Sequence, residues 1–294
     1  MKNISRRETL KIIGASGIAS FLPFKLFSNV LIKGNEECKK AWASLGKYAK
    51  TRYQFRYIEP IEGLPKVFIY GDSISIGYTE YVRASLSGKA CVYRLQENGG
   101  SSDTFIPKME KLRKTMFRPY LKNGWDFEWD LICFNVGLHD LKYLKNGKLN
   151  KKEGKQVSSL ETYEKNLVDI VEYLKNTYPH AKLMFCTTTP VPEGEPGRYA
   201  GDSKKYNKIA KKVMRRYKDI IIEDLYKFSV PVHKKYAQSE GNVHYLPEGS
   251  RLQGIEVAKV IGKALGITPV ECPPTSVILE KFKKYEGKKP EIIH

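Results

Sequence analysis

The stretch that decides the fold covers residues 66–78 and reads KVFIYGDSISIGY. Its run VFIY, residues 67–70, is rich in β-branched and aromatic side chains and ends at a glycine, which predicts a buried strand. A helical pattern follows from Gly77. Ser73 therefore lies at a strand-to-helix turn, on the edge of the sheet where open α/β folds form their clefts. Its N–H lies near the positive end of the next helix, which suits a nucleophile whose attack creates an oxyanion.

Residues 1–30 are predicted to be an export signal rather than part of the fold. Arg6 and Arg7 precede a short apolar run at residues 12–19, and paired arginines in a charged leader are typical of the bacterial twin-arginine route. The competing interpretation is a membrane anchor, but the run is too short to span a bilayer easily. The mature protein is therefore expected to be periplasmic or secreted, and to meet the membrane only during export.

The composition indicates one globular domain with a basic surface. The chain has 294 residues, and the part after the signal suits a single domain with a sizeable core. Its five cysteines form no Cys-x-x-Cys pair, so we interpret them as small core residues rather than as a zinc site or a disulfide framework. The formal net charge is +19, and many basic residues lie on a predicted helix at residues 202–217. A solvated basic face explains them better than a nucleic-acid site does in an exported protein, and any attraction to acidic polysaccharide is non-specific.

Strands and helices alternate after Ser73 in the manner of a doubly wound sheet. The pattern predicts a three-layer α/β/α domain at residues 66–266 with a five-stranded parallel sheet. Residues 31–65 are predicted to be a lead-in that is helical at 41–48, and residues 267–294 a tail packed outside the domain. A Lys-rich loop is expected after the third strand. The predicted strands are 67–70, 91–95, 130–136, 182–187 and 219–225, and the helices after them begin at 77 and then cover 103–116, 160–178, 202–217 and 247–265.

Ser73 alone is weak evidence, because Gly, Asp and Ser are common in ordinary turns. Three further stretches change this. Residues 97–102, ENGGSS, follow the second strand, and paired glycines let a backbone N–H approach a bound group. Residues 136–140, VGLHD, follow the third strand and place His139 where its N–H can donate to a developing negative charge. Residues 241–249, GNVHYLPEG, place His244 above the same edge, just before the last helix. The other three histidines, His180, His233 and His294, are predicted to lie at the surface.

Taken together, these stretches resemble the SGNH (GDSL-type) hydrolases over residues 66–265. The resemblance implies a flavodoxin-like fold, with Ser73 as nucleophile and His244 as general base. It implies an oxyanion hole made by the N–H groups of Ser73 and Gly100 and by the side chain of His139, although the register leaves Gly99 or Ser102 open in place of Gly100. Asp72 and Asp140 would support these groups. The segment TTTPVP, residues 187–192, resembles the one that family members place beside the cleft.

Two positions depart from the family pattern. His139 stands where the family has an Asn, and a neutral imidazole donates from only one nitrogen, so its tautomer must be held. We expect Asp140 or a nearby carbonyl to hold it. The family also places an Asp two or three residues before the base, where this chain has Asn242 and Gly241. Asn242, Glu240 or a backbone carbonyl would then orient His244.

The resemblance implies a serine esterase that needs no metal or cofactor, and it offers acetylated glycans, lipids, aryl esters and thioesters as substrates. The predicted export, the basic surface and the absence of an obvious long apolar lid favour removal of acyl groups, chiefly acetyl, from carbohydrate esters. Tyr78, Tyr143, Tyr199 and Tyr245 are candidates for stacking on sugar rings. Two other classes stay open. One is a polysaccharide O-acetyltransferase with the same nucleophile, and the other is a catalytically weak relative that binds glycans. Nucleic acid is not an expected partner, and the sequence leaves the oligomeric state open.

Overall fold

The structure is a computed structural model that describes residues 35–286. The predicted export signal, residues 31–34 and the end of the predicted tail lie outside the described residues. Within that range the strands are β1 (Lys66–Tyr70), β2 (Cys91–Arg94), β3 (Leu131–Phe134), β4 (Tyr143–Lys145), β5 (Lys148–Leu149), β6 (Lys155–Gln156), β7 (Lys182–Cys186) and β8 (Ile221–Glu223).

The helices connect these strands in the order that a doubly wound sheet requires. Within the described range they are α1 (residues 35–44), α2 (Tyr48–Thr51), α3 (Ser73–Ser85), α4 (Phe105–Met116), α5 (Leu160–Thr177), α6 (Asp202–Met214), α7 (Leu225–Tyr236), α8 (Pro247–Leu265) and α9 (Thr275–Glu286).

The central sheet has five parallel strands in the order β2–β1–β3–β7–β8. All five residues of β1 are buried, which explains the apolar run that follows Lys66, since a parallel strand is covered on both faces. The chain passes from β1 outward to β2 and then returns to β3 on the other side of β1. The carboxyl ends of β1 and β3 therefore flank a topological switch point, which is where such folds bind ligands.

Two helical layers cover the sheet. On one side, α3, α7 and α9 each contact α8, and on the other side α5 lies between α4 and α6. The expected three-layer α/β/α architecture with a five-stranded parallel sheet is confirmed. The predicted helix at residues 247–265 is present with the same bounds, because Pro247 at its first position and Gly266 at its C-cap mark both ends in the sequence.

The lead-in packs on the body of the domain. Trp42 of α1 is buried, and its indole N–H donates to the Phe55 carbonyl at 2.7 Å. The centroids of its ring and that of Trp125 lie 5.8 Å apart, within an aromatic cluster that also contains Tyr93 and Trp129. The helix predicted at 41–48 is instead split between α1 and α2.

Three elements differ from the sequence-based expectation. The Lys-rich loop contains a small antiparallel sheet in the order β5–β4–β6. Helix α7 was not predicted, because it contains Pro231, and a proline inside a helical pattern normally ends it. The tail contains α9, whose Ile278 and Phe282 pack against Tyr81 and Cys272. The five cysteines are all buried and unpaired by disulfides, as expected for core residues.

Candidate active site

Ser73 is the first residue of α3, and Asp72 holds it there. The Asp72 carboxylate accepts a hydrogen bond from the Ile74 N–H at 2.9 Å, which caps the helix, and the Asp72 carbonyl accepts one from the Ser75 hydroxyl at 2.7 Å. The Ser73 N–H belongs to the first helical turn, whose N–H groups lack intrahelical acceptors, and no described residue accepts a hydrogen bond from it. It is therefore available to a substrate oxygen.

His244 contacts Ser73 across the sheet edge. The Ser73 Oγ lies 2.8 Å from His244 Nε2, and His244 Nδ1 lies 2.8 Å from Asn242 Oδ1. The same Asn242 atom accepts a hydrogen bond from the His244 backbone N–H at 2.9 Å, which identifies it as the oxygen. Nδ1 must then carry the ring proton, and the lone pair of Nε2 faces Ser73. This is the arrangement that a general base requires.

His233 supports the loop that carries His244, and the prediction that it lies at the surface is wrong. Its side chain is buried, its Nε2–H donates to the Asn242 carbonyl at 2.8 Å, and its ring lies edge to face against Tyr245 at 5.0 Å. His233 therefore fixes the backbone of the residue that orients the base. The sequence pattern did not predict α7, so it could not place His233 on the buried face of that helix.

The loop after β2 is held through the carbonyl of Gly99. This oxygen accepts hydrogen bonds from the Tyr70 hydroxyl at 2.8 Å, the Thr104 hydroxyl at 2.7 Å and the Lys108 ammonium at 3.2 Å. The same peptide group carries the N–H of Gly100. Donors at the oxygen of a peptide polarise its N–H, so Gly100 becomes a stronger donor.

Three N–H groups in this loop were candidates for the oxyanion hole. The N–H of Gly99 donates to a backbone carbonyl at the end of β1 at 3.0 Å, and that of Ser102 donates to the Asp140 carboxylate at 3.0 Å. Both acceptors are part of the buried framework. The Gly100 N–H donates at 3.0 Å to the amide oxygen of Asn98, a half-buried side chain that a substrate oxygen can replace. Of the three, Gly100 is therefore the one whose N–H a substrate oxygen can engage without breaking a buried framework contact.

His139 lies in the turn after β3, and its ring contacts Lys142. The Lys142 Nζ lies 3.1 Å from His139 Nδ1. Burial, followed by the positive charges of Lys142, Arg198 and Lys108, lowers the pKa of His139 to about 3, so the ring is neutral near pH 7. The expectation that Asp140 or a backbone carbonyl holds this ring is wrong, since the group on Nδ1 is an ammonium.

Asp140 instead joins the turn after β3 to the loop after β2. Its carboxylate accepts hydrogen bonds from the Ser102 N–H, from the Ser102 hydroxyl at 2.5 Å and from the Ser158 hydroxyl at 2.9 Å. Burial raises the pKa of Asp140 to about 6 despite these donors. The two loops that carry the predicted oxyanion donors are thus fixed relative to each other by one side chain.

Arg198 and Glu195 also position the turn after β3, and sequence reasoning missed both. The buried Arg198 donates to the Leu138 carbonyl at 2.8 Å and forms an ion pair with Glu195 at 2.5 Å. No local pattern in the sequence separates these two residues from the many other charged residues of the chain.

The remaining predicted residues are divided between the site edge and the interior. Glu240 is exposed, and Asn242 is the residue on His244 Nδ1. Tyr78 and Tyr245 are buried, so the prediction that they stack on sugar rings is wrong. The rings of Tyr143 and Tyr199 lie edge to face, 5.3 Å apart, and Tyr199 is exposed.

Within residues 35–286, no cluster of three or more His, Cys, Asp or Glu side chains has the arrangement of a metal site. In the same range, no helix combines the length and apolar character needed to cross a membrane.

No family model matches the sequence, and no curated protein matches it. Many solved structures resemble it, and three of them illustrate the likeness. A lipase/acylhydrolase from Enterococcus faecalis has 18% identity and a TM-score of 0.52 over 71% of this chain and 100% of that one. A GDSL-like lipase from Parabacteroides merdae has 18% identity and a TM-score of 0.52 over 70% of this chain and 99% of that one. An acetyl xylan esterase, AlAXEase, has 17% identity and a TM-score of 0.50 over 67% of this chain and 99% of that one.

These likenesses establish the fold. The chain has the three-layer fold of the SGNH (GDSL-type) hydrolases, as the resemblance in the sequence implied. The roles of individual residues stay predictions, because identities of 17–18% carry the architecture alone.

Proposed function

We propose that this protein is a serine ester hydrolase in which Ser73 is the nucleophile and His244 the general base. One observation carries the proposal: the 2.8 Å contact between Ser73 Oγ and His244 Nε2, with Nδ1 held by Asn242. Residues 171 positions apart meet at the switch point of the sheet. A hydroxyl at a helix start, beside a base in the correct tautomer, is the signature of an activated nucleophile.

The reaction follows from the placement of these groups. His244 Nε2 removes the Ser73 proton while Oγ bonds to the ester carbonyl carbon. The carbonyl oxygen becomes an oxyanion, which accepts hydrogen bonds from the N–H groups of Ser73 and Gly100 and from His139. The imidazolium then gives its proton to the leaving alkoxide as the ester bond breaks. Water attacks the acyl-enzyme while His244 takes a proton from it. The imidazolium returns that proton to Ser73 Oγ as the acyl–Oγ bond breaks, which releases the acid and restores the enzyme.

Asn242 replaces the carboxylate of a usual triad and supplies part of its effect. Its oxygen selects the Nδ1–H tautomer of His244, which is the orienting role. It stabilises the imidazolium only through a dipole, because an amide carries no charge. The proposed enzyme therefore uses a Ser–His pair with a neutral orienting group.

We propose acetyl esters of carbohydrates as the substrate class. The acetyl xylan esterase that shares the fold supports this choice. So does the pair Tyr143 and Tyr199, which directly follow Lys142 and Arg198 in the sequence and so lie beside the turn that carries His139. Aromatic faces of this kind stack on sugar rings. We further propose a periplasmic or secreted location, on the basis of the paired Arg6 and Arg7 before an apolar run.

The test measures acetate released from acetylated xylan and from 4-nitrophenyl acetate by the wild type and by Ser73→Ala. The proposal expects release by the wild type and none above the buffer rate by the variant. Adding an unacetylated glycan separates the alternative chemistry, because an O-acetyltransferase would acetylate the glycan and release less acetate. Equal release by both proteins would overturn the assignment of Ser73.

A further inference from the structure

Lys142 contacts His139 but takes no part in the reaction steps proposed for Ser73 and His244. Burial, followed by the charge of Arg198, lowers the pKa of Lys142. In its ammonium form Lys142 has three N–H donors and no acceptor, so His139 Nδ1 then accepts its hydrogen bond through a lone pair. A neutral imidazole carries one proton, and that proton must then lie on Nε2. No described residue accepts a hydrogen bond from His139 Nε2.

We propose that Lys142 is a positioning residue that holds His139 in the Nε2–H tautomer and thereby makes it a donor to the oxyanion. The proposal rests on the proposed function of the site. Lys142 lies three positions beyond His139 and acts on the substrate only through the imidazole.

A histidine needs such a partner where an asparagine would not. The side-chain amide of Asn always has N–H groups to offer, whereas the neutral imidazole exchanges between two tautomers. In the Nδ1–H tautomer, Nε2 would present a lone pair to a developing negative charge, which repels it. Fixing the proton on Nε2 therefore converts a repulsive group into a stabilising one.

The neighbouring groups leave this task to Lys142. The Asp140 carboxylate is engaged by Ser102 and Ser158, and the Leu138 carbonyl accepts a hydrogen bond from Arg198. No carboxylate of residues 35–286 forms an ion pair with Lys142, and the negative charges of Asp140 and Asp72 act on it only from a longer distance.

The electrostatics of the turn agree with this geometry. Lys142, Arg198 and Lys108 place positive charge around His139 and, after burial, lower its pKa to about 3. The ring stays neutral at the pH of catalysis, so its tautomer decides whether it donates.

A double-mutant cycle tests the coupling. Lys142→Met is compared in the wild type and in the His139→Asn background, with Lys142→Arg as the conservative variant that keeps a donor. Because removing one oxyanion donor costs about 10²–10³ in kcat, we expect Lys142→Met to lower kcat by roughly 10- to 100-fold in the wild type, with little change in KM. In the His139→Asn background the loss should be less than about threefold, and Lys142→Arg should keep most of the activity.

The matched control is Lys145→Met, which removes a lysine from the same segment. Lys145 is exposed and pairs with Glu153 at 2.9 Å, so its loss should leave kcat unchanged. Equal losses from Lys142→Met in both backgrounds would mean that Lys142 acts through the fold, and would overturn the proposal.

Nitrogen-15 NMR of the His139 ring gives a second readout that does not require turnover. The wild type should show the Nε2–H tautomer at neutral pH, and Lys142→Met should show an increased share of the Nδ1–H form. A wild type in the Nδ1–H form would overturn the inference. An unchanged tautomer in Lys142→Met would also overturn it. A wild type that hydrolyses no ester but shows the Nε2–H form, and loses part of it in Lys142→Met, would overturn the proposed function while supporting the role of Lys142 in holding the ring.

Discussion

The loop that carries His244 and the turn that carries His139 place the same side chain at the same edge of the sheet and prepare it for opposite tasks. In the loop, His244 Nδ1 meets the carbonyl oxygen of Asn242 at 2.8 Å. In the turn, His139 Nδ1 meets the ammonium of Lys142 at 3.1 Å. The first partner accepts a hydrogen bond and the second donates one.

This difference decides the chemistry of each ring. An acceptor at Nδ1 leaves Nε2 with a lone pair, so His244 can take a proton from Ser73. A donor at Nδ1 leaves Nε2 with a hydrogen, so His139 can stabilise an oxyanion. A histidine at an active site thus has no fixed role, and the group on its far nitrogen assigns one.

The largest expected effect comes from removing the proton acceptor. In serine proteases, loss of a member of the catalytic triad lowers kcat by about 10⁴-fold or more, and we expect a loss of that order for His244→Ala. His180→Ala is the matched control, because His180 is exposed. Steady-state hydrolysis of 4-nitrophenyl acetate measures both. A His244→Ala variant with more than a tenth of the wild-type rate would contradict the comparison.

Removing the imidazole of His139 should lower the rate less than removing that of His244. His139→Ala removes one of three oxyanion donors and is expected to lower kcat by about 10²–10³-fold. His139→Asn keeps a side-chain N–H and should recover most of that loss. The kcat values of both variants are measured on the same ester. Equal losses for His139→Ala and His139→Asn would argue against a donor role for His139.

Changing the partner of His244 should move its titration. In Asn242→Asp a carboxylate faces the imidazole and favours its charged form, so the acidic limb of the pH–rate profile should shift to higher pH. At its pH optimum the variant should be up to roughly tenfold faster, because a hydrogen bond to a charged group is about 1 kcal/mol stronger than a neutral one. A profile that does not move would show that Asn242 does not contact the base in solution.

The smallest effect on rate, and a measurable one on stability, is expected at Asp140 beneath the turn. Burial raises its pKa from the usual 3.8 to about 6. The folded protein therefore holds this proton more tightly than the unfolded chain does. The contribution to the free energy of unfolding is complete below about pH 4 and is lost as the pH rises through about 6.

Asp140→Asn cannot ionise and should lack this dependence. The Tm of the wild type should exceed that of the variant by more at pH 4 than at pH 8, as thermal denaturation followed by circular dichroism would show. The same difference at both values would contradict the raised pKa of Asp140.

The sequence predicted the elements whose signals are local. Buried parallel strands appear as apolar runs, and α8 has a proline at its start and a glycine after its end. The meeting of Ser73 and His244 at one sheet edge was predictable, because Ser73 comes soon after β1 and His244 shortly before α8. Helix α7 was hidden by Pro231, and His233 was hidden with it.

The partners of the two histidines could be predicted only in part. Asn242 was one of several groups considered for His244. It lies only two positions before the histidine, so its side chain can reach the ring without help from distant parts of the fold. Lys142 was not considered for His139, because the segment after β3 holds many lysines and the sequence does not reveal which ammonium reaches the ring. Hydrogen-bond partners are set by the packing of β4 and the neighbouring turn, which is tertiary information.

The most direct test of the central claim is to label the protein with a fluorophosphonate and to locate the adduct by mass spectrometry. The account predicts one adduct, on Ser73, that forms at a measurable rate in the wild type and at a rate lower by orders of magnitude in His244→Ala. A wild type that is not labelled at Ser73, as expected of a glycan-binding relative, or a labelling rate unaffected by His244→Ala, would contradict it.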